Sequence, residues 1–126
     1  MKQPKILVVE DSLVCLTLIT QRIKNSLGDS VEIVTAGTLA EAKNILLDPI
    51  NCENPFNAVI LDLKLPDSDG TETIIEIKKI DKDVPIIVFT GLGCSGVKTE
   101  ELGVAAFVEK HSLNWWALIL KALRSI

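Results

Sequence analysis

Residues 58–63 read AVILDL, a short apolar run that ends in a carboxylate and leads into the turn-forming stretch KLPDSDG at 64–70. Four other short runs share this enrichment in aliphatic residues. They are residues 5–10 (KILVVE), 31–36 (VEIVTA), 85–90 (PIIVFT) and 105–110 (AAFVEK). Three of the five are nearly continuous in apolar residues, as expected for strands that are covered on both faces. The pattern predicts five short strands within one sheet.

Amphipathic segments with helical spacing separate these runs. The first begins at Ser12, a residue type favoured at N-caps, and ends before Gly28. The other predicted helices are residues 38–47, 71–80, a short segment near 97–102, and 113–125. Strand and helix that alternate five times predict an α/β fold with a parallel sheet between helices. The connection at 48–56 (DPINCENPF) contains two prolines and two asparagines and is predicted to be a surface loop.

The composition is that of one ordinary globular domain. With 126 residues, of which 48% are hydrophobic and 24% charged, the chain can bury one core but not two. Its formal net charge of -4 gives no basis for binding nucleic acid. No stretch has the pattern of a signal peptide or the length of a membrane span. We therefore expect a single cytoplasmic domain over residues 1–126, with reduced thiols at the widely spaced Cys15, Cys52 and Cys94.

Polar residues lie where the predicted strands end. Glu10 and Asp11 follow the first strand, Asp62 the third, Thr90 the fourth and Lys110 the fifth. In a parallel sheet with helices on both faces, the ligand crevice lies beyond the carboxyl ends of the strands, so these side chains should converge there. Crowded carboxylates repel one another unless a cation joins them. Mg2+ is the candidate, because it prefers hard oxygen ligands and keeps waters that a phosphate oxygen can replace.

The segment 62–70 reads D-x-x-L-P-D-x-x-G, and with the strand-end residues it resembles the receiver domain of two-component response regulators. The resemblance covers essentially the whole chain and implies a flavodoxin-like (βα)5 fold with strand order 2-1-3-4-5. It also implies that Asp62 is the phosphoacceptor and that Glu10 and Asp11 are the acidic pair. Asp11 would bind Mg2+ directly and Glu10 through water, and the backbone carbonyl of Lys64 would be a further ligand.

The same resemblance implies a switch. Thr90 matches the family's switch hydroxyl, Lys110 its invariant lysine and Phe107 its switch aromatic. A phosphoryl group adds about −1.5 to −2 charges, which Thr90 and Lys110 are placed to answer. Inward movement of Thr90 would vacate space for Phe107 and repack the surface formed by the fourth helix, fifth strand and fifth helix.

Partners also follow from the resemblance. The donor would be a histidine kinase or a phosphotransfer protein. The signal would pass to a downstream protein or to an output domain outside this chain, since the chain itself is expected to carry no output domain. The surface of the fourth helix, fifth strand and fifth helix would also be the place for a homodimer.

Two features depart from the family pattern. Lys110 is followed by His111 where the family usually has proline, so the peptide between them is expected to be trans or locally strained. The interval between Thr90 and Lys110 is short and rich in glycine, so its helix is expected to be short or loose. His111 is expected to be an exposed residue at the start of the last helix rather than a phosphorelay histidine.

Three other interpretations compete with a phosphorylation switch. Residues 91–96 (GLGCSG) match the dinucleotide-binding pattern G-x-G-x-x-G, but the helix after them is short and a flexible loop is expected. Residues 67–71 (DSDGT) match the nucleophile motif of haloacid-dehalogenase-type phosphatases. They follow a proline turn instead of a strand, so they are expected to cap the third helix. A pseudo-receiver that signals only by binding would keep the fold, but the intact acidic set argues against it.

The predicted last helix carries two apolar stripes. The first is the expected core face and contains Trp115, Leu118, Ile119, Ala122 and Leu123. The second contains Leu113, Trp116 and Leu120. Neighbouring loops could cover the second stripe, or it could form a docking or dimer surface, and the sequence leaves both interpretations open.

Overall fold

A computed structural model describes residues 4–91 and 102–126. Its elements alternate as the sequence predicts, with three short additions. In chain order they are β1 (Lys5–Val9), α1 (Leu13–Leu27), β2 (Glu32–Ala36), α2 (Leu39–Leu47), α3 (Pro49–Glu53), β3 (Ala58–Leu61), β4 (Lys64–Leu65), β5 (Ser68–Asp69), α4 (Thr71–Ile80), β6 (Ile86–Thr90), β7 (Ala106–Glu109) and α5 (Trp115–Arg124). Residues 92–101 are outside this description, and with them most of the predicted helix near 97–102 and of the 91–96 motif.

The five longer strands form one parallel sheet in the order β2-β1-β3-β6-β7. This order confirms the predicted 2-1-3-4-5 arrangement, because β4 and β5 pair only with each other, in a separate antiparallel hairpin. The fold is the flavodoxin-like fold of receiver domains. Within the described residues, no helix combines the length and the apolar character that a membrane crossing requires.

The sheet separates two apolar layers. Ile6 and Val8 of β1 contribute to the layer that contains buried residues of α1 and α5, and Leu7 and Val9 to the layer that contains those of α2 and α4. All five residues of β1 are buried. This explains why the strand is continuously apolar: successive side chains point to opposite faces, and both faces are covered.

The ends of α1 follow the predicted capping residues. Ser12 caps α1 by accepting a hydrogen bond from the Cys15 N–H at 3.4 Å, and Gly28 ends the helix with φ 87°. Leu13, in the first turn, is 76% exposed. The buried residues of α1 are Ile19 and Ile23, and the partly buried Leu16 packs against the same layer.

The prediction of a surface loop at 48–56 was wrong, because this segment contains α3. The Asp48 side chain accepts a hydrogen bond from the Ile50 N–H at 3.0 Å, and Pro49 occupies the first helical position. Proline is tolerated at that position because its missing N–H would have no partner inside the helix. The residue type that predicted a break therefore starts a helix.

The segment 67–71 leads into the third predicted helix as expected, but its acidic side chains do not cap that helix. The residue before α4 is Gly70, at φ 73°, and no side chain caps that helix. Asp67 lies in the turn between β4 and β5 and reaches α2 instead, where its Oδ1 accepts from the Leu39 N–H at 2.8 Å and its Oδ2 from the Ala40 N–H at 2.9 Å. The tertiary contact with α2 takes the carboxylate that local sequence assigned to the next helix.

Residues 110–114 connect the last strand of the sheet to α5. The Lys110–His111 peptide is trans, since no cis peptide bond occurs among the described residues. His111 is exposed, in a turn ahead of α5. That helix begins at Trp115, two residues later than predicted, and leaves Leu113 in the preceding turn.

Candidate functional site

The strand-end residues predicted from sequence converge at the carboxyl edge of the sheet. The Asp62 N–H donates to the Val9 carbonyl at 3.0 Å, and the Lys110 N–H donates to the Thr90 carbonyl at 2.8 Å. These backbone bonds carry the parallel pairing one residue beyond β3 and β7. They fix the positions from which the side chains of Asp62 and Lys110 extend.

Asp62 is at the centre of the site. Its Oδ1 accepts hydrogen bonds from the Thr90 hydroxyl at 2.8 Å and from the Lys64 N–H at 3.1 Å. Its Oδ2 accepts from the Lys110 ammonium at 2.9 Å. The residue is only 5% exposed. A buried carboxylate needs such donors, because burial of an unpaired charge is costly.

Two further carboxylates lie beside Asp62. One carboxylate oxygen each of Glu10, Asp11 and Asp62 lies within 4.8 Å of the other two. Glu10 is buried and Asp11 is exposed. Glu10 Oε2 accepts from the Ser12 N–H at 3.0 Å, and Glu10 Oε1 forms an ion pair with the Lys110 ammonium at 2.5 Å. Two of the three acidic groups, Glu10 and Asp62, thus share one lysine.

Burial and the neighbouring charges shift the pKa of two groups of the site. Burial raises the pKa of Glu10, and the charge of Asp62 adds to this, although hydrogen bonds from Lys110 and Ser12 oppose it. Burial lowers the pKa of Lys110, but its hydrogen bonds to Glu10 and Asp62 and their charges raise it overall. Both shifts favour the protonated form of the group. A bound cation would reduce the repulsion among the three carboxylates when they are ionised.

The donor set fits a hard divalent cation. All three side chains offer carboxylate oxygens, the ligand type that Mg2+ takes, and the exposed Asp11 leaves a path from solvent. Lys64, whose backbone carbonyl is the fourth predicted ligand, is the first residue of β4 and is held beside Asp62 by its own N–H. Its side chain is exposed.

The predicted switch residues lie on two adjacent strands. Thr90 ends β6 and is fully buried, and Phe107, on β7, pairs with Val88 in the parallel register. Phe107 is half-buried and packs against the layer of α2 and α4. The two side chains therefore lie on strands that are hydrogen-bonded to each other, although Phe107 is not sealed in the core.

A second aromatic contact of the site was missed by the sequence analysis. The Lys110 ammonium lies 5.8 Å from the centroid of the Phe89 ring, and Phe89 stacks on Trp115 of α5 with centroids 5.0 Å apart. The sequence does place Phe89 directly before Thr90 in a buried strand, and this predicts that the two side chains point to opposite faces of the sheet. The sequence did not indicate that the Lys110 side chain extends to the Phe89 ring.

The second apolar stripe of the last helix is divided in the structure. Leu113 is fully exposed. Trp116 is half-buried, packs against the layer of α1 and α5 and lies edge-on to Trp115 at 6.1 Å. Leu120 is also half-buried. On its other side α5 lines a groove of about 400 Å³ with β7, to which Phe107, Val108, Leu118 and Ala122 contribute.

The rival phosphatase motif does not form a nucleophile site. Both Asp67 carboxylate oxygens accept backbone hydrogen bonds from α2, and the residue lies in the hairpin turn instead of at the end of a sheet strand. These hydrogen bonds lower the pKa of Asp67. A nucleophile needs an open oxygen facing substrate, so the geometry favours a structural role for this carboxylate.

The chain is similar in sequence to a protein family and to several characterised proteins. The family profile described as "Response regulator receiver domain" matches residues 6–114. A protein-glutamate methylesterase/protein-glutamine glutaminase of Clostridium acetobutylicum is 32% identical over 114 residues, which make up 87% of this chain and 31% of that protein. The chain therefore spans about a third of the length of this curated relative.

Solved structures show the same similarity. The non-phosphorylated HemR receiver domain from Leptospira biflexa is 32% identical with a TM-score of 0.76, and the match covers 98% of this chain and 95% of that one. The receiver domain of sensor histidine kinase PA1611 from Pseudomonas aeruginosa PAO1, which has a magnesium ion coordinated in its active site cleft, is 23% identical. Its TM-score is also 0.76, with 98% and 97% of the two chains covered. That second likeness concerns the fold.

Proposed function

This chain belongs to the response regulator receiver domain family, and we propose that its Asp62 accepts a phosphoryl group in a Mg2+-dependent reaction. The observation that carries the proposal is the set of contacts to Asp62. A buried carboxylate at a strand end receives the Thr90 hydroxyl on one oxygen and the Lys110 ammonium on the other. Two more carboxylates, from Glu10 and Asp11, adjoin it.

The metal would be held by Glu10, Asp11, Asp62 and the backbone carbonyl of Lys64. When bound, Mg2+ supplies positive charge that offsets the negative charge of the phosphoryl oxygens. The acidic cluster supports this assignment, because three carboxylates that offer oxygen ligands lie within 4.8 Å of one another. Asp11, the exposed member, is the ligand with the most direct access to solvent.

The reaction is a phosphoryl transfer to a carboxylate. An oxygen of Asp62 attacks the phosphorus of the donor, a P–O bond forms, and the bond from phosphorus to the donor atom breaks. The electron pair of the broken bond stays with the donor, which then takes a proton from solvent. Lys110 neutralises charge on the transferring group, and Thr90 can donate to one of its oxygens. The domain catalyses only its own modification and the hydrolysis that reverses it.

The signal would leave through Thr90 and Phe107. Before modification Thr90 donates to Asp62 itself. The phosphoryl oxygens would attract the same hydroxyl, and its movement would free space for the half-buried Phe107 to turn inward. The face of β7 and α5 would then repack. The groove between these two elements supports this direction, since Phe107 lines it.

The partners would be those of a cytoplasmic phosphorelay. A histidine kinase or phosphotransfer protein would donate the phosphoryl group, and a downstream protein or output domain outside this chain would read the repacked face, without contact between this domain and nucleic acid. A homodimer would use the same face, with Leu113, Trp116 and Leu120 as interface candidates. The exposure of Leu113 supports its availability for such contacts.

A small phosphodonor tests this function. Acetyl phosphate with Mg2+ should add one phosphoryl group, seen by intact-protein mass spectrometry, and hydroxylamine should remove it. Chelation of Mg2+ should prevent the addition. If the wild-type chain gains no phosphoryl group under these conditions, the chain is a pseudo-receiver that acts by binding alone. Steady release of phosphate from many esters would instead indicate a phosphatase.

A further inference from the structure

Asp67 connects two parts of the molecule that are far apart in sequence. Its carboxylate accepts the N–H groups of Leu39 at 2.8 Å and Ala40 at 2.9 Å, the first two residues of α2. A helix cannot satisfy its first N–H groups internally, and an acidic side chain at that end also interacts favourably with the helix dipole. Asp67 therefore forms a charge-assisted, two-point contact with α2 from a separate loop.

Local sequence supplies the other cap of α2. The Thr38 hydroxyl accepts from the Glu41 N–H at 3.1 Å, and Glu41 Oε1 accepts from the Gly37 N–H at 3.1 Å. Thr38 and Asp67 thus divide the free N–H groups of the same helix end between them. Removal of either weakens the helix start, but only Asp67 also belongs to the loop that follows Asp62. This pair therefore allows helix capping to be separated from loop positioning.

The Asp67 contact closes a ring of bonded segments around the acidic cluster. The Glu10 N–H donates to the Ala36 carbonyl at 2.9 Å, which links the end of β1 to the end of β2. Three residues later α2 begins, and Asp67 ties its start to the 62–70 loop. The Lys64 N–H, within that loop, returns to Asp62 Oδ1 at 3.1 Å. The loop is therefore held by hydrogen bonds at Asp62, before Lys64, and at Asp67, after it.

From this ring we propose that Asp67 is a positioning residue, which holds the 62–70 loop against α2 and so keeps Lys64 in place for Mg2+. The inference rests on the proposed metal site and adds a residue that does not touch the metal. It follows from geometry: without Asp67, the loop from Lys64 to Gly70 would lose its two hydrogen bonds to α2. Outer residues that orient ligands commonly alter metal affinity, typically by roughly 10–100-fold.

The test compares three variants of the full chain by NMR. Mg2+ is titrated into 15N-labelled wild type, Asp67→Ala, Asp67→Asn and Thr38→Ala, and the dissociation constant is fitted from the amide shifts of Asp11 and Asp62. Asp67→Ala should weaken Mg2+ binding roughly tenfold. Asp67→Asn, which keeps one acceptor oxygen, should show a smaller loss in the same direction. Thr38→Ala loses a cap of the same helix and should bind within about twofold of wild type.

Each outcome bears on the inference. Equal dissociation constants for the Asp67 and Thr38 variants would overturn the positioning role while leaving the metal site intact. Absence of Mg2+-dependent shifts in wild type would overturn both the site and the inference. Faster hydrogen exchange at Leu39 and Ala40 in the Asp67 variants verifies that the contact is broken. Should Asp67→Ala not fold, the Asp67→Asn and Thr38→Ala pair makes the same comparison.

Discussion

Two lysines, the buried Lys5 and the half-buried Lys110, occupy opposite edges of the same sheet and have different partners. Lys5, at the amino edge, is 2% exposed, and its ammonium donates to the Asn51 side-chain oxygen and to the Asn54 carbonyl at 2.9 Å. It also lies 4.7 Å from the centroid of the Phe56 ring. Lys110, at the carboxyl edge, donates instead to carboxylates.

The difference separates structural from functional use of one residue type. Among the described residues, the Lys5 ammonium contacts neutral oxygens and an aromatic ring. Because Asn51 belongs to α3, this contact holds α3 against the sheet. Lys110 pairs with Glu10 and Asp62 in a cluster of three carboxylates, so its partners can be exchanged when a cation or a phosphoryl group arrives. Burial of a lysine does not by itself indicate function; the charge of its partners does.

The largest expected effect is the loss of phosphorylation in Asp62→Asn. The amide cannot form the acyl phosphate, so the modification at this site should disappear rather than slow down. Intact mass after treatment with acetyl phosphate and Mg2+ measures it. Asp69→Asn, which changes an exposed acid of the same loop, is the matched control and should still be modified. Equal modification of Asp62→Asn and wild type would contradict the assignment.

Lys110→Met should slow phosphorylation roughly a hundredfold, since removal of one preorganised charge donor commonly costs that much. The substitution retains the length of the side chain but removes its charge. The rate of phosphoryl incorporation from acetyl phosphate measures the effect. Lys5→Met is the control, because it removes an ammonium group at the opposite edge of the sheet from Asp62, and its rate should stay within about twofold of wild type. A comparable loss in both variants would erase the distinction between the two edges.

Lys5→Met should lower the free energy of unfolding, although it leaves the phosphorylation rate nearly unchanged. The Asn51 side chain and the Asn54 carbonyl lose their donor, which costs about 1–3 kcal/mol of unfolding free energy. Urea denaturation of Lys5→Met and wild type gives the difference. Lys43→Met, which removes a half-buried lysine that pairs with Glu76 between α2 and α4, is the control and should cost about 1 kcal/mol or less. A stability unchanged by Lys5→Met would show that its contacts contribute nothing.

The smallest expected effect is on alkaline stability. The Lys110 pKa lies above its usual 10.5 in the folded chain, because the hydrogen bonds to Glu10 and Asp62 outweigh burial. Its contribution to stability is therefore complete below about pH 10.5 and is lost as pH rises through the folded-state pKa. Asp62→Asn removes one of the two carboxylates and should reduce this loss. The sequence contains no tyrosine, so phenol titration does not mask the difference.

Urea denaturation of both proteins at about pH 9 and about pH 11 measures this effect. Wild type should lose more stability than Asp62→Asn between the two values. The comparison of the two proteins isolates the Asp62 substitution, because the rest of the sequence is the same in both. An identical loss in the two proteins would mean that Asp62 does not support the Lys110 charge.

Much of the fold could be predicted from sequence because its signals are local. Apolar runs placed each strand, and Ser12 and Gly28 marked the ends of the first helix. The strand ends also gave the members of the site, since parallel strands must present Asp62 and Thr90 at the same edge. The strand order came from the family resemblance and was confirmed by the pairing.

What sequence did not predict depends on tertiary contacts. Asp67 finds its partners 27 and 28 residues away, so nothing in its neighbourhood indicated α2. The contact of Lys110 with Phe89 depends on a side-chain path between two strands. The helix α3 was missed for a different reason: Pro49 was taken as a breaker, although after Asp48 it starts a helix.

The identity of the acceptor is the central claim, and borohydride trapping tests it most directly. Reduction of an aspartyl phosphate converts that aspartate to homoserine, which peptide mass spectrometry locates in the sequence. After treatment with acetyl phosphate and Mg2+, we expect homoserine at position 62, and its absence when Mg2+ is chelated. Homoserine at position 11 or 67, or at no position, would contradict the account.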